Sequence, residues 1–169
     1  MRNTISVLLL GLFFCLSTLI NAADKGGQAP NVALAELNGA EAGETVNLAD
    51  YQGKLVYLDF WASWCGPCRQ SLPALNELRN TLENADFEVV AINVDENLDD
   101  ALDFLEKHPV DYPILLDPEG NSPGLFEIPG MPTAYLISPE GEILHTHVGF
   151  RKGDAEKLEV LVNYYLTEL

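Results

Sequence analysis

The chain is 169 residues long, 47% hydrophobic, and sets 26 acidic side chains against 9 basic ones for a formal net charge of −17. That length suits one domain burying about two-thirds of its unfolded surface, and no low-complexity stretch, Gly/Ser-rich linker or internal repeat divides it. A surface so acidic repels nucleic acid and anionic lipid, which argues against a nucleic-acid-binding role and names no other partner.

The first segment does not belong to that domain. Arg2 is followed by an uncharged, mostly apolar stretch from Ile5 to Ile20, then by Asn21-Ala22-Ala23 and the polar Asp24-Lys25-Gly26-Gly27. This is the layout of a secretory signal over residues 1–22, so the protein is expected to be exported, to a periplasm or beyond, with the folded domain at 29–169. The alternative is a membrane anchor left uncleaved, although the stretch is shorter than the roughly 20 residues a spanning helix needs. Loss of the leader removes Cys15 and Arg2, leaving one cysteine pair and a charge one unit more negative.

In chain order, Asn31–Leu37 alternates weakly and ends at Asn38-Gly39, and Thr45–Leu48 is β-prone, so the two are expected to pair as a leading hairpin. Leu55–Phe60 reads as a buried central strand. A helix is expected from the Cys-x-x-Cys segment onward, with Leu72, Leu75, Leu78 and Leu82 on one face and a kink at Pro73. Phe87–Val94 is a second apolar strand. Asp99–Lys107 follows as a helix with Leu102 and Leu105 inward, stopped by Pro109. Tyr112–Leu116 is strand-like and closes at the turn Asp117-Pro118-Glu119-Gly120. Thr133–Ile137 and Ile143–Gly149 flank Ser138-Pro139-Glu140-Gly141 as a second hairpin. A last helix, capped by Asp154, carries Leu158, Leu161, Val162 and Tyr165 in a stripe. Strands alternating with helices, then a hairpin and a closing helix, indicate an α/β domain with a mixed sheet covered on both faces.

The chemistry is concentrated in Trp64-Cys65-Gly66-Pro67-Cys68, at the junction of a strand and a helix. Two cysteines one helical turn apart can open and close a disulfide. The nucleophile is the thiolate, and unpaired N–H groups at a helix start stabilise it, which places Cys65 as the attacking thiol and Cys68 as the one that resolves. Pro67 stiffens the loop, and Gly66 leaves room for a partner chain. A zinc half-site or a structural disulfide is the alternative, but no second Cys-x-x-Cys and no Cys/His set at ligand spacing supports it. His145 and His147 share a strand face without a third ligand and read as solvated, as does the acidic group Asp95, Glu96, Asp99 and Asp100. Trp64 and Trp61 are candidates for a partner surface, Trp61 equally for the core.

Asp59-Phe60-Trp61-Ala62-Ser63-Trp64-Cys65-Gly66-Pro67-Cys68, with Pro73 and the downstream Gly130-Met131-Pro132-Thr133, resembles the thioredoxin superfamily over most of the chain after Asn31. The leading hairpin and the extra strand-helix segment between Val89 and Leu116 are similar to its exported TlpA and ResA-like branch. The resemblance implies the thioredoxin fold: a mixed central sheet flanked by helices, with an N-terminal β-hairpin and an inserted strand-helix segment. It also implies that Pro132 is a cis-proline facing the disulfide, that the Met131 backbone pairs with an extended substrate, and that Asp59 is an internal acid moving protons to and from Cys68, its pKa raised by burial. Two positions depart from the pattern. Ala91 stands where thioredoxins carry a lysine near the acid, and Ser71 where ResA-like proteins often place a glutamate.

The expected activity is therefore thiol-disulfide exchange, with Cys65, Cys68 and Asp59 catalytic and Trp64, Gly66, Pro67, Met131 and Pro132 contacting substrate. The implied partners are disulfides of other exported proteins and a membrane thiol donor that re-reduces the pair, with no cofactor or metal and a monomeric state. An oxidase or isomerase uses the same dithiol at a different potential. A Sco-like copper-binding assembly protein is the reading from another class, but that family spaces its cysteines as Cys-x-x-x-Cys. A peroxidase is disfavoured because Ala62 replaces the threonine expected three residues before its reactive cysteine.

Overall fold

The computed structural model describes residues 26–82 and 86–169, so the expected leader at 1–22 lies outside the described residues. Within them the chain runs β1 (Ala33–Asn38), β2 (Glu41–Asn47), a short 3-10 helix (Leu48–Tyr51), β3 (Leu55–Trp61), α1 (Cys68–Thr81), β4 (Phe87–Asn93), α2 (Leu98–Lys107), β5 (Ile114–Leu116), α3 (Ser122–Leu125), β6 (Thr133–Ile137), β7 (Ile143–Val148) and α4 (Asp154–Glu168). No helix among the described residues is long and apolar enough to cross a membrane.

One seven-stranded sheet takes the order β2-β1-β5-β4-β3-β6-β7. Strands β3, β4 and β5 are parallel, and the hairpins β1-β2 and β6-β7 attach antiparallel at either side. This is the expected mixed sheet, and its continuous apolar strands β3 and β4 lie at the centre, buried along their whole length.

Alternation along β3 divides the core in two. Leu55, Tyr57 and Trp61 join Leu72, Leu75 and Leu78 of α1, Phe104 of α2, and Leu158 and Val162 of α4 on one face. Val56, Leu58 and Phe60 join Val90, Ile92, Phe126 and Tyr135 on the other. The crossovers β3-α1-β4 and β4-α2-β5 advance in the same direction across the sheet, and right-handed crossovers put both helices on the same face. The opposite face is covered instead by Val32, by Leu48 of the 3-10 helix and by Phe126 just after α3, with Phe60, Phe126 and Tyr135 in mutual ring contact.

Several local expectations need correction. Helix α1 begins at Cys68 rather than at Cys65, because the N–H groups of Cys68 and Arg69 bond back to Cys65 O and Gly66 O in the tighter i−3 pattern of a turn. The helix continues through Pro73, whose ring is on the exposed side. In α2 the inward residues are Ala101 and Phe104, with Leu98 and Leu105 partly buried beside them. Leu102 is half-buried but does not pack against that core cluster. The segment expected as a strand from Tyr112 forms its ladder only from Ile114. Helix α4 is preceded by Gly153 at φ 90°, so Asp154 is its first residue. The Asp154 carboxylate nevertheless accepts the Arg151 N–H at 2.8 Å and the Lys157 ammonium at 2.9 Å.

Leu58 is fully buried on the central strand. Leu58→Ala is expected to destabilise the fold by about 3 kcal/mol, the loss typical of a core leucine whose cavity cannot collapse, read as a lower urea midpoint at unchanged m-value.

Candidate active site

Register builds this site. Phe60 of β3 pairs with Thr133 of β6, so the segment leaving β3 at Trp61 meets the segment entering β6 at Pro132. On the other side Trp61 pairs with Asn93 of β4, and Val94 N–H donates to Trp61 O at 3.1 Å. Three chain segments that are distant in sequence therefore converge at the C-terminal end of the parallel strands, where α/β sheets commonly place their ligands.

Cys65 and Cys68 are joined as a disulfide with their Cα atoms 5.4 Å apart. Cys65 is 3% exposed and Cys68 not at all, so only the first cysteine has any accessible surface in the oxidised pair. Around them Trp64 is 68% exposed, Gly66 and Pro67 are exposed, and an added Cβ at Gly66 would meet nothing within 4 Å. Trp61 by contrast is core, its ring centroid 5.1 Å from that of Phe104. The Met131-Pro132 bond is cis, Pro132 is buried and Met131 half-buried, and Pro132 O accepts Gly149 N–H at 2.8 Å.

Asp59 is 2% exposed and lies on the α1 and α4 face of β3. Its sheet neighbours are Ala91 on β4 and Ala134 on β6, so the position where thioredoxins carry lysine is directly beside it and holds only a methyl group. Among the described residues no cation offsets the burial, and desolvation pushes the Asp59 carboxyl well above the usual carboxylate range. The hydroxyls of Tyr57 and Tyr112 are driven upward too, first by burial and then by the Asp59 charge, and Tyr112 donates to Leu72 O at 3.3 Å. Ser71 is buried, with its hydroxyl only 3.5 Å from Cys68 O, so no carboxylate stands at that position.

Asp95 overturns an expectation. It is buried rather than solvated and accepts bonds from Ser63 N (2.8 Å), Ser63 Oγ (2.9 Å) and Asn93 Nδ2 (2.8 Å), tying the loop before Cys65 to the end of β4. Its sequence signal was the position immediately after a buried strand, which separates it from Glu96, Asp99 and Asp100, all outside the core. His147 is likewise not solvated: it is half-buried, with Nε2 3.6 Å from Asp154 Oδ2. Among the described residues no group of three or more His, Cys, Asp or Glu side chains is placed to hold a metal.

Two outcomes follow from this geometry. Asp95→Ala leaves the Ser63 and Asn93 donors unpaired and is expected to lower stability by about 3 kcal/mol in urea titrations. For Asp59 the folded pKa is raised, so its contribution to stability is complete below the unfolded carboxylate pKa and is lost as pH rises toward the folded value. Asp59→Asn is therefore expected to stabilise the oxidised protein more at pH 8 than at pH 4, checked by denaturant titration at both.

Comparison with known proteins agrees with this geometry. Residues 26–146 match the model of the AhpC/TSA family. The chain is 31% identical over 163 residues to the thiol-disulfide oxidoreductase ResA of Geobacillus kaustophilus, covering 93% of this chain and 91% of that protein. It is 31% identical over 125 residues to the ResA of Bacillus subtilis, covering 74% and 68%. A crystal structure from Chlorobium tepidum described as a thiol:disulfide interchange protein DsbE superposes with a TM-score of 0.79 at 44% identity, covering 85% of this chain and 98% of that one. The chain belongs to the AhpC/TSA family of the thioredoxin superfamily and is a thiol-disulfide oxidoreductase.

Proposed function

We propose that the protein is an exported reductant of disulfides in other exported proteins, and that Cys65 is its nucleophile. The observation that supports this reading is the asymmetry of the pair: Cys65 retains slight exposure beside the exposed Trp64, Gly66 and Pro67, whereas Cys68 is fully buried in the core on Asp59's face of the sheet. In the reduced state the Cys65 thiolate attacks a client disulfide, forming a mixed disulfide and releasing one client thiolate. Asp59 takes the Cys68 proton, the Cys68 thiolate attacks Cys65 Sγ, and the second client sulfur leaves. Two electrons pass to the client, and the disulfide seen here is the product.

The backbone of Met131, before the cis-proline, would pair with an extended client segment, with Trp64 supplying exposed apolar surface. A membrane thiol donor re-reduces the pair, and the chain needs no cofactor or metal. Export follows from the leader read in residues 1–22, and a single copy is enough for every step.

Cys68→Ser is expected to accumulate a mixed disulfide through Cys65, identifiable by mass spectrometry, whereas Cys65→Ser traps nothing. Equal trapping by both variants would overturn the assignment of roles. Equilibration against dithiothreitol is expected to give a potential nearer the about −270 mV of thioredoxin than the about −120 mV of DsbA; a value near the latter would make the protein an oxidase.

A further inference from the structure

Among the described residues three buried side-chain polar atoms make no hydrogen bond: Trp61 Nε1, Asp59 Oδ2 and His147 Nε2. The first belongs to a ring packed on Phe104. The other two lie on one row of the sheet, because Asp59 is opposite Ala134 on β6 and Ala134 is opposite His147 on β7. Directly opposed residues project to the same face. With strands about 4.8 Å apart, the two backbones are separated by about 10 Å, and Ala134 is the residue between them in that row. A water bridging a carboxyl and an imidazole on that row would relieve two desolvation penalties at once.

The surroundings of His147 suit proton transfer. Its Nε2 is buried and without a hydrogen bond, so it is the ring nitrogen placed to take a proton from the interior. Desolvation holds its pKa below the usual histidine value, with His145 and Lys157 acting in the same direction and Asp154 opposing them. Asp154 Oδ2, 3.6 Å from Nε2, stabilises the imidazolium once formed, and is itself anchored by Arg151 N–H and by the exposed Lys157. On the Asp59 side the titratable neighbours are Tyr57 and Tyr112, and the Tyr57 hydroxyl feels the charges of both Asp59 and Asp154. The acid and the surface carboxylate thus flank one short stretch of the interior.

We propose that His147 is the proton outlet of Asp59: the proton taken from Cys68 passes through water held over Ala134 to His147 Nε2, and past Asp154 to solvent. Asp59 returns to the carboxylate form, and the reverse path reloads it. This rests on the reading of Asp59 as the internal acid, and makes His147 a relay residue that touches neither sulfur nor client.

The test is steady-state insulin reduction at pH 7 with dithiothreitol as donor, on folded, purified protein. His147→Ala and Ala134→Val are each expected to slow turnover by about 10-fold, less than the 10²–10⁴ of a group acting on the reacting atoms directly. Added imidazole restores the rate of His147→Ala but not that of Ala134→Val, and the reduction potential of both stays at the wild-type value. Asp59→Asn also slows turnover, and His147→Ala adds nothing in that background. Wild-type turnover by His147→Ala, or a loss that imidazole does not relieve, overturns the outlet while leaving Asp59 in place. Wild-type turnover by Asp59→Asn overturns the assignment of the acid itself. Should His147→Ala fail to fold, Ala134→Val decides: an unslowed rate there overturns the outlet.

Discussion

Strand β3 is held between two partners of opposite sense, and the site depends on that arrangement. Its parallel ladder with β4 aligns Trp61 with Asn93, and its antiparallel ladder with β6 aligns Phe60 with Thr133. The first brings Asp95 under the loop that precedes Cys65, and the second brings the cis-proline beside it. A slip of one residue in either ladder would turn Asp59 to the opposite face, away from α1. The register is fixed because every residue of β3 is buried, so both faces of the strand are specified by packing.

That same burial makes the chemistry available and costs stability to maintain. Asp59 has alanines as its neighbours on both sides and, among the described residues, no compensating cation, so the protonated form dominates over a wider pH range than in water. A carboxyl so placed holds its proton to higher pH than an exposed aspartate does. Asp95 illustrates the opposite case at a similar depth. Its two oxygens take up donors from Ser63 and Asn93, and it serves as a structural tie. The two acids differ in their hydrogen-bond partners rather than in burial.

The unequal covering of the sheet has a functional corollary. The long helices α1, α2 and α4 all pack on the face that carries Asp59 and the disulfide, and they supply the apolar layer that seals Cys68. The other face is closed by shorter pieces, with Phe60, Phe126 and Tyr135 in contact and Tyr135 donating to Phe126 O at 2.6 Å. That bond holds the start of the segment that leads to Met131 and Pro132. Both faces therefore contribute to the site, one through the dithiol helix and the other through the cis-proline loop.

The dithiol, the order of the strands and long helices and the two hairpins were legible in the amino-acid sequence, because a reactive pair at a strand-helix junction and period-two or helical apolar patterns are local signals, whereas the short helices at Leu48–Tyr51 and Ser122–Leu125 were not. The position of the first helical residue was not, since hydrogen bonds from Cys68 and Arg69 to the turn, rather than helix propensity, set it. Nor was the difference between Asp95 and the neighbouring acids, or between His147 and His145. Those depend on which residues oppose them two or three strands away: Asp95 reaches back to Ser63, and His147 shares a row with Ala134 and Asp59. Sequence alone determined the chemistry the chain carries, because a thiol pair is a property of residue types and spacing. Only the tertiary structure decided which acids are buried and which donors they meet, because desolvation and hydrogen bonding are set by neighbours that the chain brings together from afar.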